Sequence, residues 1–136
     1  MSCKLYLLGL PEVEHEGDRK PLRLNNPTLL LLYLAYKRAW VSRSELAFLF
    51  RPDEDEVTAL KHIRLLLHRA KQNAWAETLE IEKRRVRFIT ETDIESFSKA
   101  LESENWRAIP DIYKGDFLGD YSAADLPTYT AWLERD

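Results

Sequence analysis

The stretch of sequence that decides the fold is residues 57–71, which read Val-Thr-Ala-Leu-Lys-His-Ile-Arg-Leu-Leu-Leu-His-Arg-Ala-Lys. An α-helix turns by about 100° per residue, so this stretch predicts one helix with an apolar and a basic stripe. The apolar stripe contains Leu60, Ile63, Leu67, Ala70 and Ala74, with Leu66 at its edge. The basic stripe contains Lys61, Arg64, His68, Lys71 and Gln72. The helix is predicted to continue to about Trp75.

The basic stripe has two interpretations. One is a solvated amphipathic helix. The other is a helix that presents bases to the major groove of DNA, which is lined by phosphates and wide enough to admit a helix. A predicted β-hairpin next to this helix favours the second interpretation, because residues 79–82 and 85–88 alternate between apolar and polar. The alternation points four residues to the core: Leu79, Ile81, Val86 and Phe88.

The predicted turn of this hairpin is Lys83-Arg84, and the return strand adds Arg85 and Arg87 facing solvent. Two-residue hairpin turns favour Asn-Gly or Gly, so two bases at this place accept a backbone cost. That suggests that charge at the tip matters. A looser turn is the alternative.

Composition and length describe a soluble globular protein. The chain has 136 residues, of which 45% are hydrophobic and 32% charged, enough for one core or two small cores that share a face. The apolar run at residues 29–32 is too short to span a bilayer. The single Cys3 excludes an internal disulfide and a cysteine metal cluster, and the N-terminus lacks the apolar centre of a signal peptide. A reducing cytoplasm is the expected location.

Charge is unevenly distributed along the chain. The net charge is −3, which argues against a generic nucleic-acid binder. Residues 57–90, however, carry eight bases and three acids, whereas residues 91–136 carry four bases and eleven acids. A basic centre followed by an acidic tail suggests two modules with different partners.

The first part of the chain predicts a small sheet and a buried helix. Residues 4–10, 13–15 and 21–24 read as short antiparallel strands, with a turn at residues 16–18. Asn25 is then a helix cap, with Pro27 at the first helical position. This helix, predicted to end near residue 38, is apolar nearly all round and should be the central buried helix.

A second helix is predicted from Ser42, because Ser42 and Glu45 have the spacing of a capping box. Arg51-Pro52 ends this helix. Four acids come next in the chain: Asp53, Glu54, Asp55 and Glu56. They either stabilise the N-terminus of the basic helix, where negative charge is favourable, or contact a basic partner.

The last third of the chain predicts further helices. Asp93 is a plausible cap for a helix through Leu101, a second helix covers about residues 106–113, and a third begins near Pro127. A loop with aromatic residues, 116–121, separates the last two. The chain stops within a helical pattern, so we expect it to be a fragment of a longer polypeptide.

These elements together predict an α+β fold: a winged helix-turn-helix with an N-terminal antiparallel sheet and a C-terminal wing hairpin. Several motifs carry a family resemblance in the same order. Residues 41–47 resemble the pattern vsRdeLa, residues 51–53 resemble WPD, and residues 59–71 resemble AlnnLRvaLsrLRk. Residues 113–118 and 132–135 resemble Y.G.FL and W...eR. The chain thereby resembles the SARP-type family of bacterial transcriptional activators, whose N-terminal half is an OmpR/PhoB-like winged helix.

The chain also departs from that family. Arg51 stands where the family has tryptophan, and the usual Gly-Tyr of the wing is missing near Arg85-Val86. Leu65 lies on the polar side of its helix, at a position that varies in the family.

The resemblance implies a division and a function. Residues 1–91 would be the winged-helix DNA-binding domain, and residues 92–136 the beginning of an all-α, TPR-like activator domain. The protein would regulate transcription in the cytoplasm by binding double-stranded DNA. The segment from Asp93 onward would serve self-association, as in a homodimer, or contact with RNA polymerase. Residues 53–56 would be a second polymerase contact, and no membrane is involved.

The expected DNA contacts derive from the predicted positions. Arg or Lys reads guanine edges, and Leu65 offers an apolar contact to thymine. Arginines of the wing suit a narrow minor groove, whereas Arg43 and Lys71 would hold phosphates. The full predicted set is Arg43, Lys61, His62, Arg64, Leu65, His68, Arg69, Lys71, Arg84, Arg85 and Arg87. The prediction requires that the cations of the basic helix and of the wing face the same way and are not paired with the protein's own carboxylates.

Two other functions compete with DNA binding. A winged helix that has lost DNA affinity could be a protein-interaction module that uses Leu65, Trp75 and acidic surfaces. An enzyme is disfavoured, because His15, His62 and His68 lack ligand spacing and no catalytic motif is present. We therefore expect no enzymatic activity, no cofactor and no metal.

Overall fold

The computed structural model describes residues 3–103, which adopt an α+β fold, as predicted. They form two compact units: residues 3–23 with 90–103, called the sheet unit, and residues 24–89, called the helical unit. The helix expected near residues 106–113, the aromatic loop 116–121 and the helix from Pro127 lie outside the described residues, with the rest of the expected TPR-like domain. None of the described helices is long and apolar enough to cross a bilayer.

The elements succeed one another in a simple order. They are β1 (Cys3–Tyr6), β2 (Glu12–His15), β3 (Asp18–Pro21), α1 (Asn26–Lys37), β4 (Val41–Ser42), α2 (Arg43–Phe50), α3 (Glu56–Lys71), a 3₁₀ turn (Ala74–Ala76), β5 (Leu79–Ile81), β6 (Arg85–Phe88), β7 (Glu91–Thr92) and α4 (Asp93–Glu102).

The sheet unit is a four-stranded sheet in the order β3-β2-β1-β7. β1 pairs antiparallel with β2, where Leu5 faces Val13, and parallel with β7, where Leu5 faces Thr92. The third strand was predicted at residues 21–24, but it begins at Asp18. Glu16 and Gly17 both have positive φ, 53° and 85°, and form a tight turn, so pairing resumes at once with His15 opposite Asp18.

The sequence predicted Asp93 as the cap of α4, and this prediction is wrong. Thr92 is the cap, and its hydroxyl accepts a hydrogen bond from the backbone N–H of Glu95. The Asp93 carboxylate instead accepts hydrogen bonds from the backbone N–H groups of Leu7, at 2.7 Å, and Leu8, at 3.0 Å. It thereby satisfies backbone groups just beyond the end of β1, which also ends earlier than the predicted residue 10.

The helical unit is built round α1, whose residues from Thr28 to Ala35 are all buried, as its apolar sequence predicted. The Asn25 side chain accepts a hydrogen bond from the Thr28 N–H and confirms the predicted cap. α3 contributes Ile63, Leu67 and Ala70 to the core. A three-stranded sheet in the order β4-β6-β5 completes this unit.

The capping box predicted for α2 is half formed. The Ser42 hydroxyl accepts a hydrogen bond from the Glu45 N–H at 3.0 Å. The Glu45 carboxylate does not return to Ser42 but accepts a short hydrogen bond from the Tyr33 hydroxyl. α2 is therefore joined to α1 by the side chain that was expected to close its own cap.

Two predicted details of α3 and the hairpin are wrong. α3 ends at Lys71, four residues before the predicted end, and a separate 3₁₀ turn comes after it, so Ala74 is exposed and not part of the apolar stripe. Ile81 is 41% exposed, because it is the last residue of the edge strand β5. Leu79, Val86 and Phe88 are buried as predicted.

Candidate nucleic-acid interface

One open groove of about 660 Å³ in the helical unit collects cationic side chains from three elements. We call it the basic groove. The first turn of α2, the first half of α3 and the hairpin tip form its walls. Its lining residues are Ser42, Arg43, Ser44, Val57, Leu60, Lys61, Arg64, Lys83 and Arg84.

Helical spacing places the α3 residues on one wall. Val57, Leu60, Lys61 and Arg64 have the spacing i, i+3, i+4 and i+7, which brings them to the same side of a helix. Val57 is 66% exposed. This wall therefore combines an apolar strip with two cations, whereas Ile63 and Leu67 face the core.

Strand pairing brings the hairpin tip to α2. Val41 and Ser42 of β4 pair with Val86 and Arg85 of β6, so β6 runs beside the residues that start α2. The Glu82 N–H donates to the Arg85 carbonyl at 2.9 Å and closes the hairpin round Lys83 and Arg84. Neither tip residue has positive φ, because the non-glycine residues with positive φ in residues 3–103 are Glu16 and Arg38. The left-handed backbone cost expected at this turn is absent.

Four groove cations have no acidic partner within the described part of the chain. No carboxylate of residues 3–103 lies within ion-pair distance of Lys61, Arg64, Lys83 or Arg84. All four side chains are exposed. Like charges gathered in one concave surface give it a positive potential that attracts anions.

Arg85 and Arg87, which were also predicted to bind DNA, do not line the groove and are neutralised locally. Arg85 pairs with Glu82 at 2.8 Å, and Arg87 binds both oxygens of Glu80 at 2.8–2.9 Å. The pairing raises the pKa of Arg87 and lowers the pKa of Glu80 through their shared hydrogen bonds. Both guanidinium groups also lie over the Trp40 ring, at 4.1 and 4.3 Å from its centroid. This side of the hairpin is a stacked and ion-paired surface.

The other predicted contacts on α3 fall into two groups. Leu65 (46% exposed), His68 and Arg69 are exposed but do not line the groove. His62 and Lys71 have partners of their own. His62 Nδ1 lies 2.8 Å from Glu54 Oε1, and Lys71 Nζ donates to the Leu79 carbonyl at 2.7 Å, which ties the end of α3 to β5.

Three of the four acids at residues 53–56, around the start of α3, have local contacts. Asp55 is the cap of α3 and accepts hydrogen bonds from the N–H and hydroxyl of Thr58, which lower the pKa of Asp55. Glu54 contacts His62, and Glu56 accepts a hydrogen bond from the Ser44 hydroxyl. Asp53 is exposed. The interpretation of these acids as helix-terminal charges is therefore confirmed for Asp55.

The predicted site omitted Lys83, Val57 and Leu60, which all line the groove. Lys83 could have been included, because it shares the two-residue tip with Arg84. Val57 could also have been found from periodicity, because it lies four and seven residues before Lys61 and Arg64 on the same side of the helix. Leu60 was missed because it was assigned to the apolar stripe. In residues 3–103 no group of three His, Cys, Asp or Glu side chains could hold a metal ion.

Comparison with known proteins adds no assignment: neither a protein-family model nor a curated protein sequence matches this chain.

Proposed function

We propose that the helical unit binds duplex DNA through the basic groove and regulates transcription, as a winged helix-turn-helix protein. One observation carries this proposal: Lys61 and Arg64 of α3 share a concave surface with Lys83 and Arg84 of the hairpin tip. Since none of the four is paired with a described carboxylate, their charge is available to phosphates. Neutralisation of phosphates is the main sequence-independent source of affinity for DNA.

The order of elements supports the same proposal. α2, the short connection at residues 51–55 and α3 succeed one another as helix, turn and helix, and the hairpin comes next as a wing. This is the order expected of the SARP-type family that the sequence resembles. α3 is 16 residues long and exposes Lys61, Arg64 and Leu65 along one side, as a helix in a major groove requires.

The proposed contacts divide by position. Arg64 and Lys61 donate to guanine edges in the major groove, and Leu65 contacts a thymine methyl group. Lys83 and Arg84 reach the backbone or the minor groove beside it. His68 and Arg69 extend the contact along α3.

Further partners rest on the family resemblance. We propose RNA polymerase as a partner for the segment from Asp93 onward and for residues 53–56, and a homodimer as the DNA-bound form. We also propose a cytoplasmic location, where the DNA of a bacterium lies.

The test is the salt dependence of DNA binding, measured by fluorescence anisotropy with a labelled random-sequence duplex. If the four groove cations contact phosphates, the logarithm of affinity falls against the logarithm of salt with a slope of about −3.6. The double variant Lys61→Gln/Arg64→Gln should roughly halve that slope.

Two double variants provide matched controls, because each also removes two positive charges. Lys37→Gln/Arg38→Gln at the end of α1 should keep the slope of the parent protein. Arg85→Gln/Arg87→Gln should keep it nearly as well, since these arginines are already paired with Glu82 and Glu80. A flat salt response of the parent protein would contradict the proposal, as would equal losses in all three variants.

A protein-interaction module is the second candidate, and the apolar strip of Val57 and Leu60 in the groove favours it. Such a groove would take an acidic peptide with apolar side chains. Retention on heparin or phosphocellulose at low salt separates the two candidates, when duplex DNA is added as the competitor. Elution by duplex DNA supports the first candidate, and elution by an acidic peptide with apolar side chains but not by duplex DNA supports the second.

A further inference from the structure

We infer that Arg43 is a positioning residue that holds the hairpin tip over α3, and that its guanidinium is not one of the phosphate ligands. The inference rests on the proposed function, since it assigns a role within the basic groove. It assigns to Arg43 a different task from the one that the sequence suggested.

Arg43 binds the hairpin tip through its side chain and through its backbone, and we call these two contacts together the clamp. The Arg43 guanidinium donates from Nη2 at 2.6 Å and from Nε at 3.1 Å to the backbone carbonyl of Glu82. The backbone N–H of Arg43 donates to the carbonyl of Arg84 at 3.0 Å. One residue at the start of α2 therefore binds the carbonyl groups on both sides of Lys83.

The clamp matters because burial does not hold the residues of the tip. Glu82, Lys83, Arg84 and Arg85 are all exposed, and the bond between the Glu82 N–H and the Arg85 carbonyl closes the hairpin within the tip itself. Lys83 and Arg84 can present their charges toward α3 only if the tip keeps its orientation. Arg43 joins that orientation to α2, which is packed on α3.

A guanidinium is suited to this task and an ammonium is not. The planar guanidinium presents two N–H groups in a fixed fork to one carbonyl, whereas lysine ends in a flexible point charge. Arg43→Lys therefore keeps the charge in the groove but loses the forked contact. We expect this variant to bind duplex DNA about fivefold more weakly, which corresponds to the loss of one net hydrogen bond. Arg38→Lys, at the exposed end of α1, is the control and should keep the affinity of the parent protein.

A double-mutant cycle separates positioning from direct contact. If Arg43 acts through the tip, Arg43→Lys has no further effect once Lys83→Gln/Arg84→Gln has removed the tip cations. If Arg43 binds phosphate itself, the substitution weakens binding by the same factor in both backgrounds. The second result would overturn the inference.

Amide hydrogen exchange of the whole chain tests the clamp without DNA. The Glu82 and Arg43 amides donate to the Arg85 and Arg84 carbonyls. Arg43→Lys removes the forked guanidinium contact and should speed exchange of these two amides, while amides in the middle of α1 exchange as before. Unchanged exchange at Glu82 would overturn the clamp even if DNA binding is normal. Absence of DNA binding by the parent protein would overturn the proposed function and the role of Lys83 and Arg84 in it. The exchange result would still decide whether Arg43 holds the hairpin tip.

Discussion

Arg64 and Arg87 have the same side chain, but only Arg64 is free of a described carboxylate and so available to bind an anion. Arg64 has no carboxylate within ion-pair distance among residues 3–103, whereas Arg87 binds both oxygens of Glu80 and lies over Trp40. To bind a phosphate, Arg87 would have to give up a forked ion pair and a ring contact. The partners of each arginine, and not its distance from α3, decide which one is available to bind an anion.

Two aspartates should titrate in opposite directions. We predict that Asp55 has a pKa below that of an unpaired aspartate, because its carboxylate accepts hydrogen bonds from Thr58. Burial should raise the pKa of Asp93, even though the backbone N–H groups of Leu7 and Leu8 partly compensate. NMR titration of the side-chain carboxyl carbons measures both values in one experiment. Equal pKa values would contradict the assignments.

The same shifts set the sign of the pH dependence of stability. The contribution of Asp55 to the free energy of unfolding is present above the pKa of the unfolded chain and is lost as the pH falls through the lower folded value. Asp93 acts in the other direction, since its protonated form is favoured by burial. The contribution of Asp93 to the free energy of unfolding therefore rises as the pH falls from its raised pKa in the folded state toward its ordinary pKa in the unfolded chain.

At the scale of elements, local sequence signals predicted the helix starts well. The caps Asn25 and Ser42 are where the sequence indicated them, because a capping side chain bonds to a backbone N–H three residues ahead. The end of α3 was harder to predict. The apolar period continues through Ala74 in the sequence, but the helix stops at Lys71, whose amine binds a carbonyl on β5.

The ion pair between Glu80 and Arg87 on the hairpin could have been predicted. A turn at Lys83-Arg84 places Glu80 opposite Arg87, and the structure has this pair in register. Opposite charges directly across two antiparallel strands attract. Trp40 could not have been assigned to that face, because it comes from a segment 45 residues earlier than Arg85 and only the β4–β6 pairing brings the two together.

Trp40 should stabilise the hairpin through its ring face. We predict that Trp40→Leu lowers the free energy of unfolding by about 1–2 kcal/mol, because the ring lies under both Arg85 and Arg87. Trp40→Phe keeps an aromatic face and should lose less. Urea unfolding of both variants measures the difference. Equal losses would show that apolar area and not the ring's charge distribution is responsible.

At the scale of the whole molecule, a chain with a net charge of −3 carries a positive groove. If the groove binds DNA as proposed, the net charge makes the protein and DNA repel each other at long range, and they attract only when the groove is close to the duplex. We therefore predict that salt acts mainly on dissociation: the dissociation rate should rise steeply with salt, while the association rate changes little. Stopped-flow mixing with labelled duplex measures both rates. A steep fall of the association rate with salt would contradict this prediction.

The parallel pairing of β1 with β7 has a consequence for synthesis of the chain. Thr90 donates from its hydroxyl to the carbonyl of Cys3, 87 positions earlier, and Asp93 binds the amides just after β1. During synthesis on the ribosome, the edge of β1 that pairs with β7 therefore has unpaired backbone N–H and C=O groups until nearly all of residues 3–103 have emerged. During that interval a nascent chain has an open strand edge, and such an edge is a site where another chain can pair and misassemble.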